Sequence, residues 1–161
     1  GFTIVETRND NTVKRITFRP YNSPQSFLMR FYNEWHDWER VDNAQSDTGW
    51  VEFNLINGAV SNTEYSDRNG FNCAYRIVTN GSLTTNYLRI NGKNFTSGTS
   101  IAQLPTSMVK NSQSFMVRTP TNSPVAFITI NNDGSVVPWA VKSTGDWLED
   151  YYIYNEISWI N

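Results

Sequence analysis

Residues 71–93 of this 161-residue chain, FNCAYRIVTNGSLTTNYLRINGK, carry the pattern that decides the fold. Successive side chains of a β-strand point to opposite faces of a sheet, so alternation over residues 71–77 predicts one inward face. That face is made of Phe71, Cys73, Tyr75 and Ile77. A second strand-like run follows at residues 86–90, and the first Asn-Gly pair of the stretch lies between the two runs. Because Asn-Gly is favoured at the centre of a type I′ turn, the stretch predicts an antiparallel hairpin.

Similar runs recur to the end of the chain. The strand-like runs are residues 50–56, 71–78, 86–90, 115–118, 125–130, 135–141 and 151–160. The turn signals are Asn57-Gly58, Asn69-Gly70, Asn80-Gly81, Asn91-Gly92 and Asp133-Gly134. Dipeptides of this kind between short strands predict an antiparallel meander or a Greek-key sandwich. Residues 125–130 are apolar on both faces, which indicates a central strand or a contact between subunits.

The composition favours the same fold class. The chain contains 20 Asn, 15 Ser and 16 Thr but only six Ala and six Leu, and 14% of its residues are aromatic. Ala and Leu are strong helix formers, whereas aromatic residues favour strands and small polar residues favour turns. We therefore predict an all-β chain: an antiparallel β-sandwich or β-barrel head domain preceded by a short partial β-module.

Charge and residue counts exclude several functional classes. The net charge is −2, which gives no electrostatic footprint for duplex nucleic acid. No apolar run approaches the ~20 residues that span a bilayer, and no signal peptide is expected. Cys73 and His36 are the single residues of their types, so we expect no internal disulfide, no cysteine-based zinc site and no catalysis by two histidines. We expect no enzyme, no cofactor and no metal.

The first 43 residues differ from the rest. Residues 13–18 and 26–32 alternate in polarity and flank a Pro/Asn/Ser-rich segment, which predicts a hairpin or a meander corner. A two-stranded ribbon is marginally stable alone, so residues 1–43 are expected to be the end of a larger module. The polar stretch 41–49 marks the boundary, and residues 44–161 form the predicted head domain.

Aromatic and acidic residues concentrate before and within the last strand-like run. Sugar rings stack their C–H faces on indole and phenol rings, and their hydroxyl groups pair with carboxylates. The candidate saccharide-binding residues are Trp139, Asp146, Trp147, Glu149, Asp150, Tyr151 and Tyr152. Two other interpretations stay open: a solvated acidic loop with ordinary core aromatics, or a glycosidase, which needs two carboxyl groups roughly 5 to 10 Å apart across the sugar.

Two parts of the chain resemble phage tail proteins. Residues 31–42, FYNEWHDWERVD, resemble the end of the pyocin-knob-like modules of tail fibres. Most of residues 44–161 resemble the C-terminal heads of receptor-binding proteins from phages of Gram-positive hosts, notably lactococcal and streptococcal siphophages. The segments that carry this resemblance are Gly49-Trp50, Tyr75-Arg76-Ile77, Leu104-Pro105, residues 126–134, Gly145-Asp146-Trp147 and Ile157-Ser158-Trp159-Ile160.

The resemblance implies a homotrimeric, non-catalytic head that binds a host cell-wall polysaccharide. It implies a place at the tail tip or baseplate of the virion, after assembly in the host cytoplasm. Other tail or baseplate proteins would be held through the N-terminal part, with neither nucleic acid nor membrane as a partner. Two alternatives stay open: a depolymerase that cleaves the same polysaccharide, and a purely structural tail-tip or trimerisation domain.

Overall fold

The structure, a computed structural model, describes residues 1–42, 45–141 and 145–161. Almost all regular structure within these ranges is β-strand in antiparallel sheets, which confirms the predicted all-β class. Two short 3₁₀ helices span Ser66–Arg68 and Thr106–Met108. No helix in the described ranges is long and apolar enough to cross a membrane. The chain divides into two compact units, Gly1–Gln45 and Ser46–Asn161. The predicted boundary, between residues 43 and 44, falls outside the described residues.

The first unit is one five-stranded sheet. Its strands are β1 (Phe2–Thr7), β2 (Val13–Arg19), β3 (Phe27–Tyr32), β4 (Glu34–Trp35) and β5 (Glu39–Arg40). β1 to β4 lie side by side in chain order, and β5 also pairs with β3. The predicted hairpin of residues 13–18 and 26–32 is confirmed as β2 and β3. β1 was not predicted, and it extends the ribbon into a sheet.

The two faces of this sheet differ in polarity. Directly opposed residues of an antiparallel pair point to the same side, so the register assigns the faces. One face is mainly apolar, and its apolar members are Val5, Ile16, Phe18, Phe27, Met29, Phe31 and Trp35. The same register places Lys14 opposite Phe31 and Arg40 opposite Phe27 on this face. The other face carries two ion pairs, Arg15–Glu6 and Arg30–Glu39. No described residue of the first unit is buried.

The remaining strands form two further sheets. They are β6 (Gln45–Asp47), β7 (Val51–Glu52), β8 (Val60–Ser61), β9 (Ala74–Asn80), β10 (Leu83–Lys93), β11 (Ala102–Gln103), β12 (Gln113–Val117), β13 (Ala126–Ile130), β14 (Ser135–Ala140) and β15 (Tyr152–Ile160). One sheet has the order β15-β10-β9-β6, with β7 beside β9 and β8 beside β10. The other has the order β11-β14-β13-β12. β13 is therefore a central strand, as its two apolar faces predict.

Both sheets contribute to one hydrophobic core. The β15-β10 sheet supplies Leu88, Ile90, Ile153 and Trp159. The β13-β14 sheet supplies Ile128, Ile130 and Val136. The Trp159 indole donates a hydrogen bond to the carbonyl oxygen of Met108 at 2.8 Å, which satisfies the polar atom of this buried ring. The second unit thus has the two packed layers that the first unit lacks.

The Asn-Gly and Asp-Gly signals have different outcomes. Asp133-Gly134 closes the β13–β14 hairpin, where Gly134 has φ +87° and its N–H donates to the carbonyl oxygen of Asn131 at 2.8 Å. The hairpin between β9 and β10 is confirmed, but its turn is shifted by one residue: Asn80 pairs with Leu83, so Gly81 and Ser82 form the loop. The predicted type I′ turn centred on Asn80-Gly81 is therefore wrong.

The predicted turn at Asn91-Gly92 is also wrong. These residues lie inside β10 and pair with β15. A Cβ atom at Gly92 would lie 2.5 Å from Cδ1 of Leu55 and 3.2 Å from the carbonyl oxygen of Val60, so glycine allows these groups to pack closely on β10. The Asn91 side chain donates to the carbonyl oxygen of Phe71 at 2.8 Å. Here Asn-Gly serves tight packing within a strand and forms no turn.

Candidate functional site

Trp139 lies on the solvent side of β14. Its cross-strand neighbour is Phe127, and 48% of Trp139 is exposed. Gly98 packs beside the indole, because a Cβ atom at that glycine would be 3.2 Å from the ring. The N–H of Gly98 donates to the carbonyl oxygen of Pro138 at 2.8 Å, which fixes the loop next to the indole. β14 therefore presents a large, half-exposed aromatic side chain to solvent.

Trp147 is half-buried and packs against the core. Its ring centroid lies 6.2 Å from that of Phe95 in a stacked arrangement and 5.7 Å from that of Tyr151, edge to face. The indole Nε1 is buried and has no hydrogen-bond acceptor among the described residues. Trp139 and Trp147 line the same cavity of ≈ 10 Å³, which has room for about one water molecule and none for a sugar ring.

The three predicted carboxylates are exposed. Asp146, Glu149 and Asp150 lie in the segment that leads to β15, where the N–H of Tyr151 donates to the carbonyl oxygen of Leu148. None of the three has a hydrogen bond or ion pair within the described part of the chain. The Tyr151 hydroxyl donates to the carbonyl oxygen of Asn122 at 3.2 Å.

We name Trp139, Asp146, Trp147, Glu149, Asp150 and Tyr151 the tryptophan–carboxylate surface. Trp139 and Trp147 share a cavity, Trp147 contacts Tyr151, and the acids flank Trp147 along the chain. Six of the seven predicted residues thus belong to one region. Tyr152, the seventh, contacts a different group of residues.

Tyr152 belongs to a second group, which we name the tyrosine–arginine cluster: Tyr65, Phe71, Arg118, Tyr152 and Tyr154. The Tyr154 ring stacks on Phe71 with centroids 4.2 Å apart and planes 11° apart, and its centroid lies 4.5 Å from that of Tyr65. The hydroxyl oxygens of Tyr65 and Tyr152 are 3.4 Å apart. The Arg118 guanidinium lies 5.3 Å from the centroid of the Tyr65 ring.

Hydrogen bonding changes the acidity of this cluster. The hydrogen bond with Tyr152, together with the nearby Arg118, lowers the pKa of Tyr65. The same hydroxyl contact and burial raise the pKa of Tyr152. When the Tyr65 phenol is ionised, its oxygen accepts a hydrogen bond from the Tyr152 hydroxyl. The contact therefore favours ionisation of Tyr65 and disfavours ionisation of Tyr152. Tyr65 is therefore the more acidic of the two phenols.

Part of this cluster follows from the strand pattern. Tyr152 and Tyr154 are two residues apart in β15, so their side chains lie on the same face of that strand. Tyr65 immediately precedes the 3₁₀ helix Ser66–Arg68, and Arg118 follows β12 directly. Neither residue is near β15 in the sequence, so strand patterns contain no signal for their contact.

The described residues contain no group of three or more His, Cys, Asp or Glu side chains that could hold a metal ion. Cys73 is buried, and burial raises the pKa of its thiol. Its sulfur accepts a hydrogen bond from the N–H of Asn91 at 3.2 Å. This cysteine is a packing residue of the hairpin.

Comparisons with protein-family descriptions, curated proteins and solved structures find no match to this chain.

Proposed function

We propose that this chain is a non-catalytic saccharide-recognition head of a phage tail receptor-binding protein, acting in adsorption to the host surface. The observation that carries saccharide recognition is the tryptophan–carboxylate surface. There, a half-exposed indole lies in the same region as three exposed carboxylates without partners among the described residues. Stacking on Trp139 and hydrogen bonds from sugar hydroxyls to Asp146 or Glu149 are the contacts that such a surface provides. The phage context rests on the resemblance of residues 31–42 and 44–161.

We propose that Trp147 supports the site and does not itself stack on the sugar. Its ring packs between Phe95 and Tyr151, so we assign it the support of Tyr151 and of the acidic segment. Trp147→Ala is therefore expected to lower stability as well as binding.

Binding to an array of bacterial surface polysaccharides tests the proposal. Trp139→Ala should lower binding to the best polysaccharide by about tenfold or more, since truncating an aromatic anchor typically costs above 1 kcal/mol. Trp38→Ala is the matched control, because Trp38 is 49% exposed in the first unit. Equal losses in the two variants, or no binding to any polysaccharide, would contradict the proposal.

Release of reducing ends from the polysaccharide distinguishes a depolymerase from a recognition head. A depolymerase releases new reducing ends from the bound polysaccharide, and Asp146→Asn or Glu149→Gln would abolish that release. A recognition head releases none during prolonged incubation. Appearance of reducing ends with the purified protein would replace the recognition proposal with an enzymatic one.

Association of copies is a second proposed property. A β-sheet normally buries one face against another layer, and the apolar face of the first unit has no buried residue. We propose that copies of the chain associate through this face, as in the homotrimer implied by the resemblance, with the assembly located at the virion tail tip. Light scattering of the purified protein tests this. A monomer at all concentrations would favour attachment of this face to another tail or baseplate protein.

A further inference from the structure

The tyrosine–arginine cluster has more hydrogen-bond donors than acceptors. A guanidinium carries five N–H donors and each phenol one O–H donor, whereas the side-chain acceptors in the cluster are its three phenol oxygens. One of these, the Tyr154 hydroxyl oxygen, already accepts a hydrogen bond from the N–H of Phe71 at 3.4 Å. The Arg118 guanidinium lies 5.3 Å from the centroid of the Tyr65 ring, and the hydroxyl oxygens of Tyr65 and Tyr152 are 3.4 Å apart. Donor hydrogens therefore remain available to an external acceptor.

Arg118 also has no carboxylate partner among the described residues. A neighbouring arginine shows the contrast: Arg89 places its Nε 2.6 Å from Oε2 of Glu156, and its guanidinium lies 3.6 Å from the Trp50 ring centroid. Arg118 is exposed, and among the described residues its guanidinium faces one aromatic ring, that of Tyr65. The charge of Arg89 is balanced within the protein, and the charge of Arg118 is accessible to a ligand.

The phenol beside Arg118 is held rigidly. Tyr65 has φ +68°, a left-handed conformation that is an outlier for a bulky side chain and that clusters at functional sites. Its carbonyl oxygen accepts hydrogen bonds from the N–H groups of Arg68 and Gly70, at 2.9 and 2.8 Å. A Cβ atom at residue 70 would lie 2.8 Å from that oxygen, so glycine is needed to hold Tyr65 in place.

The charge near the cluster favours a monoanion. Glu64 acts electrostatically on both tyrosines. Two guanidinium groups face the Tyr65 ring, that of Arg118 at 5.3 Å from its centroid and that of Arg68 at 6.0 Å, and Arg68 also lies 3.8 Å from Asp67. Of the two, Arg118 is the one without a carboxylate partner in the described ranges. A planar carboxylate fits the fork of one guanidinium, and Glu64 repels it less than it repels a doubly charged phosphate, because the repulsion scales with the charge of the ligand.

We infer that the tyrosine–arginine cluster binds the carboxylate of an acidic sugar, with Arg118 as the charged anchor and Tyr65 and Tyr152 as hydroxyl donors. This inference rests on the proposed function and names its substrate class: polysaccharides that contain uronic acids. The ring of the sugar would lie along the exposed edges of Tyr65 and Tyr154.

Titration of the ¹⁵N-labelled full chain tests the site. The probes are methyl β-D-glucuronide, methyl β-D-glucoside and glucose 6-phosphate, followed by amide and arginine Nε–H shifts. We expect the glucuronide to shift the signals of Tyr65, Arg118 and Tyr152. Its affinity should exceed that of the glucoside by about tenfold, the effect of one hydrogen bond to a charged group. Tighter binding of the phosphate would overturn the assignment to a carboxylate.

Variants separate the site from general electrostatic attraction. Arg118→Gln should weaken glucuronide binding by about tenfold, and Tyr152→Phe should weaken it by a smaller factor. Arg8→Gln is the matched control with the same loss of charge, because Arg8 is an exposed arginine of the first unit that lies 3.7 Å from Asp10. Near-UV circular dichroism reports the fold of each variant. Equal losses in Arg118→Gln and Arg8→Gln, or an unchanged affinity in a folded Arg118→Gln, would overturn the inference. The proposed function would survive that result if polysaccharide binding remained sensitive to Trp139→Ala.

Discussion

The two units of this chain alternate apolar and polar residues equally clearly, yet only one of them has a core. In the first unit, strands β1 to β4 present seven apolar side chains on one face, and none is buried. In the second, residues of the same types are sealed between two sheets, and Leu88, Ile128 and Ile153 have no exposed surface. Alternation therefore specifies a face, and a second layer is required to turn that face into a core.

The largest expected difference concerns one isoleucine in each unit. Ile128→Ala removes a fully buried side chain and should lower the free energy of unfolding by about 2–5 kcal/mol. Ile16→Ala, on the half-buried apolar face of the first unit, should cost less than about 1.5 kcal/mol in the monomer. Urea unfolding followed by tryptophan fluorescence measures both. Similar losses would mean that the face of the first unit is covered in solution.

A glycine in the β13–β14 turn gives the next effect. Gly134→Ala places a Cβ atom 2.2 Å from the carbonyl oxygen of Leu104 at φ +87°. Clash and backbone strain together should destabilise the second unit by at least about 1–3 kcal/mol. Gly81→Ala is the control, since at φ +63° it meets no atom within 4 Å and retains only the strain. Thermal unfolding should give a lower Tm for Gly134→Ala than for Gly81→Ala, and the reverse order would contradict this packing.

Two buried asparagines in the second unit are expected to respond in opposite directions. The amide of Asn86 is fully buried without a partner in the described ranges, so Asn86→Leu should raise the free energy of unfolding by roughly 1–3 kcal/mol. Asn91→Leu should lower it, because the Asn91 amide donates to Phe71 and accepts from Asn62. Urea midpoints measure both variants. A destabilised Asn86→Leu would show that this amide is satisfied in solution.

The smallest effect is the acid sensitivity of a surface ion pair. Hydrogen bonds from Arg76 lower the pKa of Asp47 to about 2 from an ordinary value of 3.8. A lowered carboxyl pKa stabilises the folded state above the unfolded-state value, and that contribution disappears as the pH falls from 3.8 towards 2. Urea midpoints of the wild type should therefore decline through this window more steeply than those of Asp47→Asn. Parallel declines would contradict a role for the pair.

The sequence predicted the parts of the fold that depend on local pattern. β13 and β15 were predicted because their alternation or two-sided apolarity extends over several residues, and the Asp133-Gly134 hairpin because its turn residues are specific. Asn91-Gly92 was predicted to be a turn because Asn-Gly favours type I′ turns. The same dipeptide also fits a tightly packed strand, and the packing of Leu55, which is distant in sequence, is not visible in the local pattern.

The candidate site was predictable only where it is continuous in sequence. The tryptophan–carboxylate surface comes mostly from one segment near the end of the chain, so composition alone found it. The tyrosine–arginine cluster joins Tyr65, Arg118 and Tyr152, which belong to three separate segments. Its existence follows from tertiary packing and from a left-handed Tyr65, which propensity disfavours.

Cys73 is the single cysteine of the chain, so the rate at which its thiol is modified can report how often the surrounding part of the second unit opens. Cys73 is sealed against the backbone of Asn91, so a thiol reagent reaches it only when the strands around it separate. Each molecule can be modified once, and the fraction of mass-shifted protein over time records how often this region opens under native conditions. The first unit has no cysteine, so the measured modification rate reports on the second unit. A ligand that stabilises the second unit would lower the rate of Cys73 modification, so its binding could be detected without a label or an assay of function.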